Sequence, residues 1–228
     1  MRFAVLYSIL IFSVLIPKLL HAQRSEVGFG VGTFNYTGDL VRSYDFAFSK
    51  PAATVFYRSN LSKVISFRVA FTGGKIGASD RRPIDAFSTR RAASFNITLL
   101  EASAAFEYHF LNWREDKRIL RYTPYMFGGL ALFAMSGTAA KPAEYSNVQG
   151  AVPFGLGIKY ILNPKWYVAL EFGMRKTFFD YLDNTSGNET KKKTFQYGNP
   201  FDNDNYFFLG LTFTRTFYTI PCPSNPYK

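Results

Sequence analysis

The chain has 228 residues, of which 47% are hydrophobic, 19% charged and 18% aromatic, the aromatics being 25 Phe, 15 Tyr and 2 Trp. That balance excludes a disordered tail, and one Cys with two His excludes an internal disulfide framework and a Cys-rich zinc site. A formal net charge of +11 raises nucleic acid as a partner, a suggestion the first segment overturns.

Residues 1–22 read as a secretory signal peptide. Arg2 supplies the positive start, Phe3 to Ile16 is apolar, and Leu20-His21-Ala22 is a small-residue cleavage site that places Gln23 at the mature terminus. The apolar stretch is shorter than the roughly 20 residues of a spanning helix, and no Cys follows it to take a lipid. Losing Arg2 and Lys18 takes the basic count from 27 to 25 against 16 acidic residues, net +9, and leaves His109 as the one histidine. An exported chain rarely meets nucleic acid, so none is expected as a partner. No later segment offers 18 consecutive apolar residues, so any membrane passage must use strands.

From Glu26 onward the pattern has period two. Residues 26–36 set Val27, Phe29 and Val31 against Gly28, Gly30 and Gly32. Residues 50–58 predict a second strand. A third, 63–73, sets Ile65, Phe67, Val69 and Phe71 against Ser66, Arg68 and Ala70. A fourth, 94–110, sets Ala102, Ala104, Phe106, Tyr108 and Phe110 against Ser103, Ala105, Glu107 and His109; its apolar parity switches near Leu99-Leu100, which predicts a bulge there. The fifth, 122–134, has Tyr125, Phe127, Ala131 and Phe133 in phase. The sixth, 151–161, sets Phe154, Leu156, Ile158 and Tyr160 against Gly155, Gly157 and Lys159, and Asn163-Pro164 signals a turn. The seventh, 166–178, sets Trp166, Val168, Leu170, Phe172 and Met174 against Ala169, Glu171, Gly173 and Arg175. The eighth, 205–217, sets Phe207, Leu209, Leu211, Phe213 and Phe217 against Thr212, Thr214 and Thr216.

The connections alternate. Gaps 59–62, 111–121 and 162–165 are short; gaps 37–49, 74–93, 135–150 and 179–204 are longer. Outer-membrane barrels show this asymmetry, with short periplasmic turns and long outer loops. The expected fold is therefore all-β, an eight-stranded antiparallel transmembrane barrel of the outer-membrane type over residues 23–217, with a periplasmic tail at 218–228. A soluble two-sheet sandwich also alternates. Against it stand the Phe- and Tyr-dense apolar face and an opposite face of Gly and isolated charges. Those charges, Arg68, Glu107, His109, Lys159, Glu171 and Arg175, are assigned to the barrel interior, where Glu171 and Lys159 are expected to pair across the hairpin at Asn163-Pro164. An eight-stranded interior is just wide enough for side chains to fill, so no open pore is expected.

Chemistry finds little support. His109 falls at the periplasmic end of strand four with no nucleophile constellation around it, which favours a structural, hydrogen-bonded histidine over a lipid-modifying enzyme. No catalytic residue, metal ligand set or cofactor is assigned, and no small-molecule substrate. Asp202, Asn203, Asp204 and Asn205 lack the Gly and terminal Glu of a calcium loop. Lys191-Lys192-Lys193 is a solvated run in an outer loop, with attraction to anionic headgroups as the sharper option. Arg215 falls on the apolar face near the periplasmic end, where it can snorkel to headgroups. Cys222 sits in Pro221-Cys222-Pro223; an odd Cys in an oxidising compartment is either a free thiol or an intermolecular partner.

Four stretches carry a resemblance: Asn35-Tyr36-Thr37-Gly38-Asp39-Leu40, Arg175-Lys176-Thr177-Phe178-Phe179-Asp180-Tyr181-Leu182-Asp183, Asn203-Asp204-Asn205-Tyr206-Phe207-Phe208-Leu209-Gly210-Leu211-Thr212, and Cys222-Pro223. In their order and positions they resemble the PorG-like family, small outer-membrane barrels of the type IX secretion system of Bacteroidota. The tail from Ser224 to Lys228 has no counterpart in that resemblance.

The resemblance implies a non-enzymatic role in protein transport, and in some relatives gliding motility: tethering a periplasmic ring of a PorK-like lipoprotein and its PorN-like partner to the outer membrane. The expected docking face is the periplasmic turns with tail 218–228. In the turn 111–121, Trp113, Arg114, Glu115, Asp116, Lys117 and Arg118 offer the aromatic and Arg side chains that anchor interfaces. A disulfide from Cys222 to a ring subunit is a further expectation. The alternative is a stand-alone outer-membrane barrel, structural or adhesive, acting through its extracellular loops. Outer-membrane lipid is a partner either way.

Overall fold

The computed structural model describes residues 24–38, 40–41, 43–79, 94–111, 121–136, 146–163, 165–178, 182 and 204–217. Eight strands follow one another: β1 (Arg24–Thr37), β2 (Lys50–Asn60), β3 (Ile65–Ser79), β4 (Ser94–His109), β5 (Tyr122–Ser136), β6 (Val148–Asn163), β7 (Trp166–Thr177) and β8 (Asn205–Phe217). Each pairs antiparallel with the next, and β8 returns to β1, closing the barrel. The closing seam runs from Ser25↔Phe217 to Thr37↔Asn205. Closure gives every strand a partner on both sides, the condition for taking backbone N–H and C=O groups into lipid. The start of β1 and the end of β8 share one rim, here the terminal rim; the opposite one is the loop rim.

Alternation assigns the two faces. Outward side chains are large and apolar, and they are exposed: Leu130 is 72% exposed, Phe71 62% and Leu156 62%. A soluble protein rarely shows so continuous an apolar surface, whereas lipid covers it without cost. At the terminal rim the belt turns aromatic and amphipathic, with Tyr57, Tyr108, Tyr122, Tyr160 and Trp166 on the outside.

The inside is layered along the axis. Toward the loop rim it is an apolar core that includes Phe34, Tyr36, Leu40, Ile76, Ile97, Leu99, Phe133, Tyr206 and Phe208. Toward the terminal rim it is charged and hydrogen-bonded. This layering accounts for several departures from the sequence pattern. β4 has no bulge at Leu99-Leu100: its register is continuous against β3 (Gly74↔Leu99, Gly73↔Leu100) and β5 (Leu99↔Met135, Leu100↔Ala134). The inward parity is the same throughout; its residues merely change from Glu107 and Glu101 to Leu99 and Ile97 as the strand enters the apolar layer. The register shift lies instead between Ile161 and Asn163, at the β6–β7 turn. On β5 the in-phase Tyr125, Phe127, Ala131 and Phe133 line the lumen, while Met126, Leu130 and Leu132 face out.

β3 runs six residues beyond the expected Gly73. Gly74 and Gly77 here mark close strand approach, not a turn: a Cβ at Gly74 would lie 2.7 Å from the Pro51 carbonyl oxygen, and one at Gly77 2.5 Å from that of Phe95. Longer strands shorten the loops, so the long–short alternation is incomplete. The 110–121 connection equals the 38–49 loop in length, whereas 61–64 and 164–165 are tight.

Candidate functional site

The lumen is the built site of this molecule, and it begins with two arginines on adjacent strands. Arg58 (β2) and Arg68 (β3) are register partners pointing inward. Glu107 of β4 lies between them: Arg58 Nη2 donates to its Oε1 at 3.0 Å, Arg58 Nε lies 2.7 Å from its Oε2, and Arg68 Nε lies 3.2 Å from Oε1. Arg58 Nη1 also donates to Glu26 Oε2 at 2.7 Å, across the β1–β2 pair. Asn60 donates to Glu26 Oε1 at 2.8 Å, and Ser66 donates to Asn60 at 2.8 Å, extending the network toward the terminal rim.

Arg68 crosses the lumen to β7. Its Nη1 and Nη2 donate to the two carboxylate oxygens of Glu171 at 2.5 and 3.2 Å, and the Tyr125 hydroxyl donates to the same carboxylate at 3.0 Å. Glu171 therefore goes to Arg68 and not to Lys159. The β6–β7 register places Glu171 opposite Gly157 and Lys159 opposite Ala169, and the bidentate guanidinium fork outcompetes a single ammonium. Lys159 sits 3.0 Å from His109 Nε2 and 3.9 Å from Glu26. His109 Nδ1 lies 3.3 Å from the Val64 carbonyl oxygen, so the Nδ1–H tautomer donates there and leaves Nε2 to accept from Lys159. Higher in the lumen, Arg175 Nε donates to Glu101 at 3.1 Å and the Tyr206 hydroxyl donates to the same oxygen at 2.8 Å.

Four carboxylates (Glu26, Glu101, Glu107, Glu171) thus face four cations (Arg58, Arg68, Lys159, Arg175), all buried. The balance matters because desolvating an unmatched charge costs several kcal/mol, order of magnitude. Aromatic rings separate the cations: Phe56 lies 4.9 Å from Arg58 and 5.7 Å from Arg68, and Phe127 lies 4.9 Å from Arg68. Inward glycines make room for them. A Cβ on Gly28 would run into the Phe56 ring, and one on Gly157 would run into the Tyr125 ring.

The loop rim is closed by a knot around Asp204. Tyr36 donates its hydroxyl to Oδ1 at 2.5 Å, the Leu182 amide donates to Oδ2 at 2.8 Å, and the Thr177 hydroxyl donates to the Asp204 carbonyl at 2.5 Å. The Gly38 amide donates to the Val41 carbonyl at 2.9 Å, folding the first loop inward so that Leu40 and Val41 join the apolar core beside Leu182. Gly38 fits only as glycine, since a Cβ would collide with both Asp204 Oδ1 and the Tyr36 hydroxyl. Described residues of three sequence stretches singled out above meet in this knot: Tyr36 and Gly38, Thr177 and Leu182, and Asp204.

Of the sequence-predicted residues, Arg68, Glu107, His109, Lys159, Glu171 and Arg175 are buried and joined through the networks just described. Arg215 faces outward, its guanidinium over Trp166 and Phe217. Trp113, Arg114, Asp116, Lys117, Arg118, Cys222, the Lys191–Lys193 run and residues 1–22 lie outside the described residues. Sequence reasoning missed Glu26, Arg58 and Tyr36 as interior groups; Glu26 and Arg58 were findable, since they share parity with the inward Gly28 and Phe56. Among the described residues no group of three His, Cys, Asp or Glu side chains is placed to hold a metal ion.

Among solved structures, the chain is similar to Neisserial surface protein A, NspA (12% identity, TM-score 0.51, 86% of this chain and 97% of that one). It is also similar to a major outer membrane protein from Thermus thermophilus (15%, 0.49, 86% and 100%) and to Ail, the attachment invasion locus protein of Yersinia pestis (11%, 0.46, 86% and 99%). At these identities the likeness is one of fold, that of outer-membrane eight-stranded barrels. No curated protein matches the sequence. Residues 5–225 match the family described as "Domain of unknown function (DUF6089)", and the chain belongs to that family.

Proposed function

We propose that this barrel is a non-enzymatic peg in the outer membrane, holding a periplasmic assembly at its terminal rim. The observation that carries the reading is what the described strands bury inside the barrel: a balanced ion network below and an apolar core tied at Asp204 above. A cylinder so filled passes no solute, and its buried charges serve rigidity, which is what an anchor needs. On this reading both termini and the 110–121 connection face the periplasm, and the long loops face outward.

The assembly proposed is the type IX secretion ring of PorK- and PorN-like subunits, on the strength of the sequence resemblance to PorG-like barrels. Docking is assigned to Trp113, Arg114, Asp116, Lys117 and Arg118, with Cys222 as the candidate for a disulfide to a ring subunit. The test is co-purification from detergent-solubilised native membranes with and without reductant. The wild type should bring down the ring lipoprotein, and W113A/R114A should lose it while still forming a barrel. Cys222→Ser should abolish a reductant-sensitive band of higher mass. Loss of function on trimming the 178–204 loop, with W113A/R114A silent, would overturn the tether in favour of a stand-alone barrel acting through its outer loops.

A further inference from the structure

Arg215 points away from the lumen. It lies on the lipid-facing side of β8, two residues before the strand ends at Phe217, with Trp166 of β7 and Val27 of β1 as register neighbours. Its guanidinium carbon stands 5.7 Å from the Trp166 ring centroid and 5.3 Å from that of Phe217. Two rings therefore fix a guanidinium at the depth where the outer belt turns aromatic. Among the described residues no carboxylate pairs with Arg215; Glu26, Glu101, Glu107 and Glu171 are all turned into the barrel. Cation–π contact uses the face of the guanidinium and leaves its N–H edge, five donors in a planar fork, for an acceptor from outside the protein.

Beside Arg215 the barrel wall is concave. A groove of about 530 Å³ is lined by Val27, Phe29, Val55, Val69, Phe71 and Phe213, with Trp166, Arg215 and Phe217 also on its wall and no acidic residue in the lining. The trough runs over Val27 of β1 and Val55 of β2, with Phe71 of β3 and Phe213 of β8 on its sides. An apolar trough with one fixed cation on its wall, at interfacial depth, has the amphipathic pattern of a lipid: acyl chain along the trough, anionic headgroup on the cation. A phosphate suits such a site because the guanidinium fork meets two of its oxygens at once.

We propose that this groove binds an anionic phospholipid, its phosphate on Arg215 and an acyl chain along Phe29 and Phe71. The site rests on the membrane-barrel reading above and deepens it: the terminal rim lies in the periplasmic leaflet, where the lipids are phospholipids, and the bound lipid marks the β8–β1–β2 side of the wall.

Trp166 reports on the site directly, since the chain has 2 Trp and replacing Trp113 by Phe leaves it alone. The W113F chain is placed in phosphatidylcholine nanodiscs holding a minor fraction of acyl-brominated phosphatidylglycerol or, separately, acyl-brominated phosphatidylcholine. The brominated anionic lipid should quench Trp166 beyond the neutral one, with a local enrichment of about fivefold, the effect of one basic side chain at an anionic lipid. R215Q should bring the two lipids level, and native mass spectrometry should show phosphatidylglycerol retained on the wild type and lost from R215Q. Equal quenching in the W113F chain overturns the site, as does a preference that survives R215Q. Gel mobility with and without boiling reports barrel assembly separately: a chain that forms no heat-resistant barrel in phosphatidylcholine overturns the membrane reading and the site with it.

Discussion

The Tyr36 hydroxyl and the Asp204 carboxylate are separated by 168 residues and meet at 2.5 Å inside the loop rim. Tyr36 lies near the end of β1 and Asp204 just before β8, two strands that become neighbours only when the barrel closes. The bond is thus formed by closure and holds it. Asp204 binds the Leu182 amide with its second oxygen, so one carboxylate ties the end of β1, the last loop and the start of β8.

Removing the Tyr36 hydroxyl leaves a buried carboxylate short of a donor. Y36F should lower unfolding stability by about 1.5–3 kcal/mol, the range for a hydrogen bond to a charged group. D204A, which takes the acceptor from the Tyr36 hydroxyl and the Leu182 amide together, should cost more. Urea unfolding in detergent micelles, followed by intrinsic fluorescence, measures both. An unchanged midpoint for D204A would show that the knot contributes nothing to closure.

The charged layer makes a second prediction with a built-in control. Arg58 touches two carboxylates, so R58M should leave Glu26 and Glu107 each short of a cation, although Arg68 and Lys159 remain near them, and cost about 3 kcal/mol, the lower end of the usual effect of breaking a buried pair from one side. R58M/E107M restores the charge balance and should recover part of that loss, since apolar replacement of a whole buried pair is often neutral. A double variant no better than R58M alone would mean that shape, not charge, sets the cost. The same unfolding assay decides.

Much of this architecture is legible in the sequence, and the reasons for the remainder are physical. Period two is a local property, so the eight strands can be read residue by residue, and the outward face with them where the two faces differ; β5 is apolar on both faces, and its in-phase Tyr125, Phe127, Ala131 and Phe133 turn out to line the lumen. Partners inside the lumen cannot, because they are chosen by closure. Glu171 has Lys159 nearby on the facing strand, yet binds Arg68, 103 residues away, because the guanidinium fork reaches across the lumen. Leu99-Leu100 looks like a bulge because an apolar residue at an inward position mimics a change of face. The third strand reads as ending at Gly73 because a glycine at close strand approach looks, in sequence, like a break in the strand.

Gly28 tests whether the lumen is as full as its geometry states. Its missing Cβ is the space that the Phe56 ring occupies between Arg58 and Arg68. G28V should push that ring out of place and destabilise the barrel by about 1–3 kcal/mol, the usual cost of overpacking. F56A in the G28V background should return part of the loss by vacating the ring's volume. If G28V leaves the unfolding midpoint unchanged, the terminal half of the lumen holds spare room.

The outer face makes the last prediction, and it separates a lipid-facing wall from a surface meant for water. Leu130 lies near the middle of β5, outward and 72% exposed. On a soluble protein, Leu130→Arg at such a position would be close to neutral or favourable. Facing the bilayer midplane, it should cost about 2–4 kcal/mol, falling to about 0–1 kcal/mol for Arg placed near either interface. Tyr122, on the same strand and the same face but at the terminal rim, supplies the interfacial position. Folding of L130R and Y122R into phospholipid vesicles, measured by urea titration against wild type, should therefore show a large loss for the first and a small one for the second. Equal and negligible losses at both depths would mean that the apolar wall does not face lipid, and the peg would have no membrane to stand in.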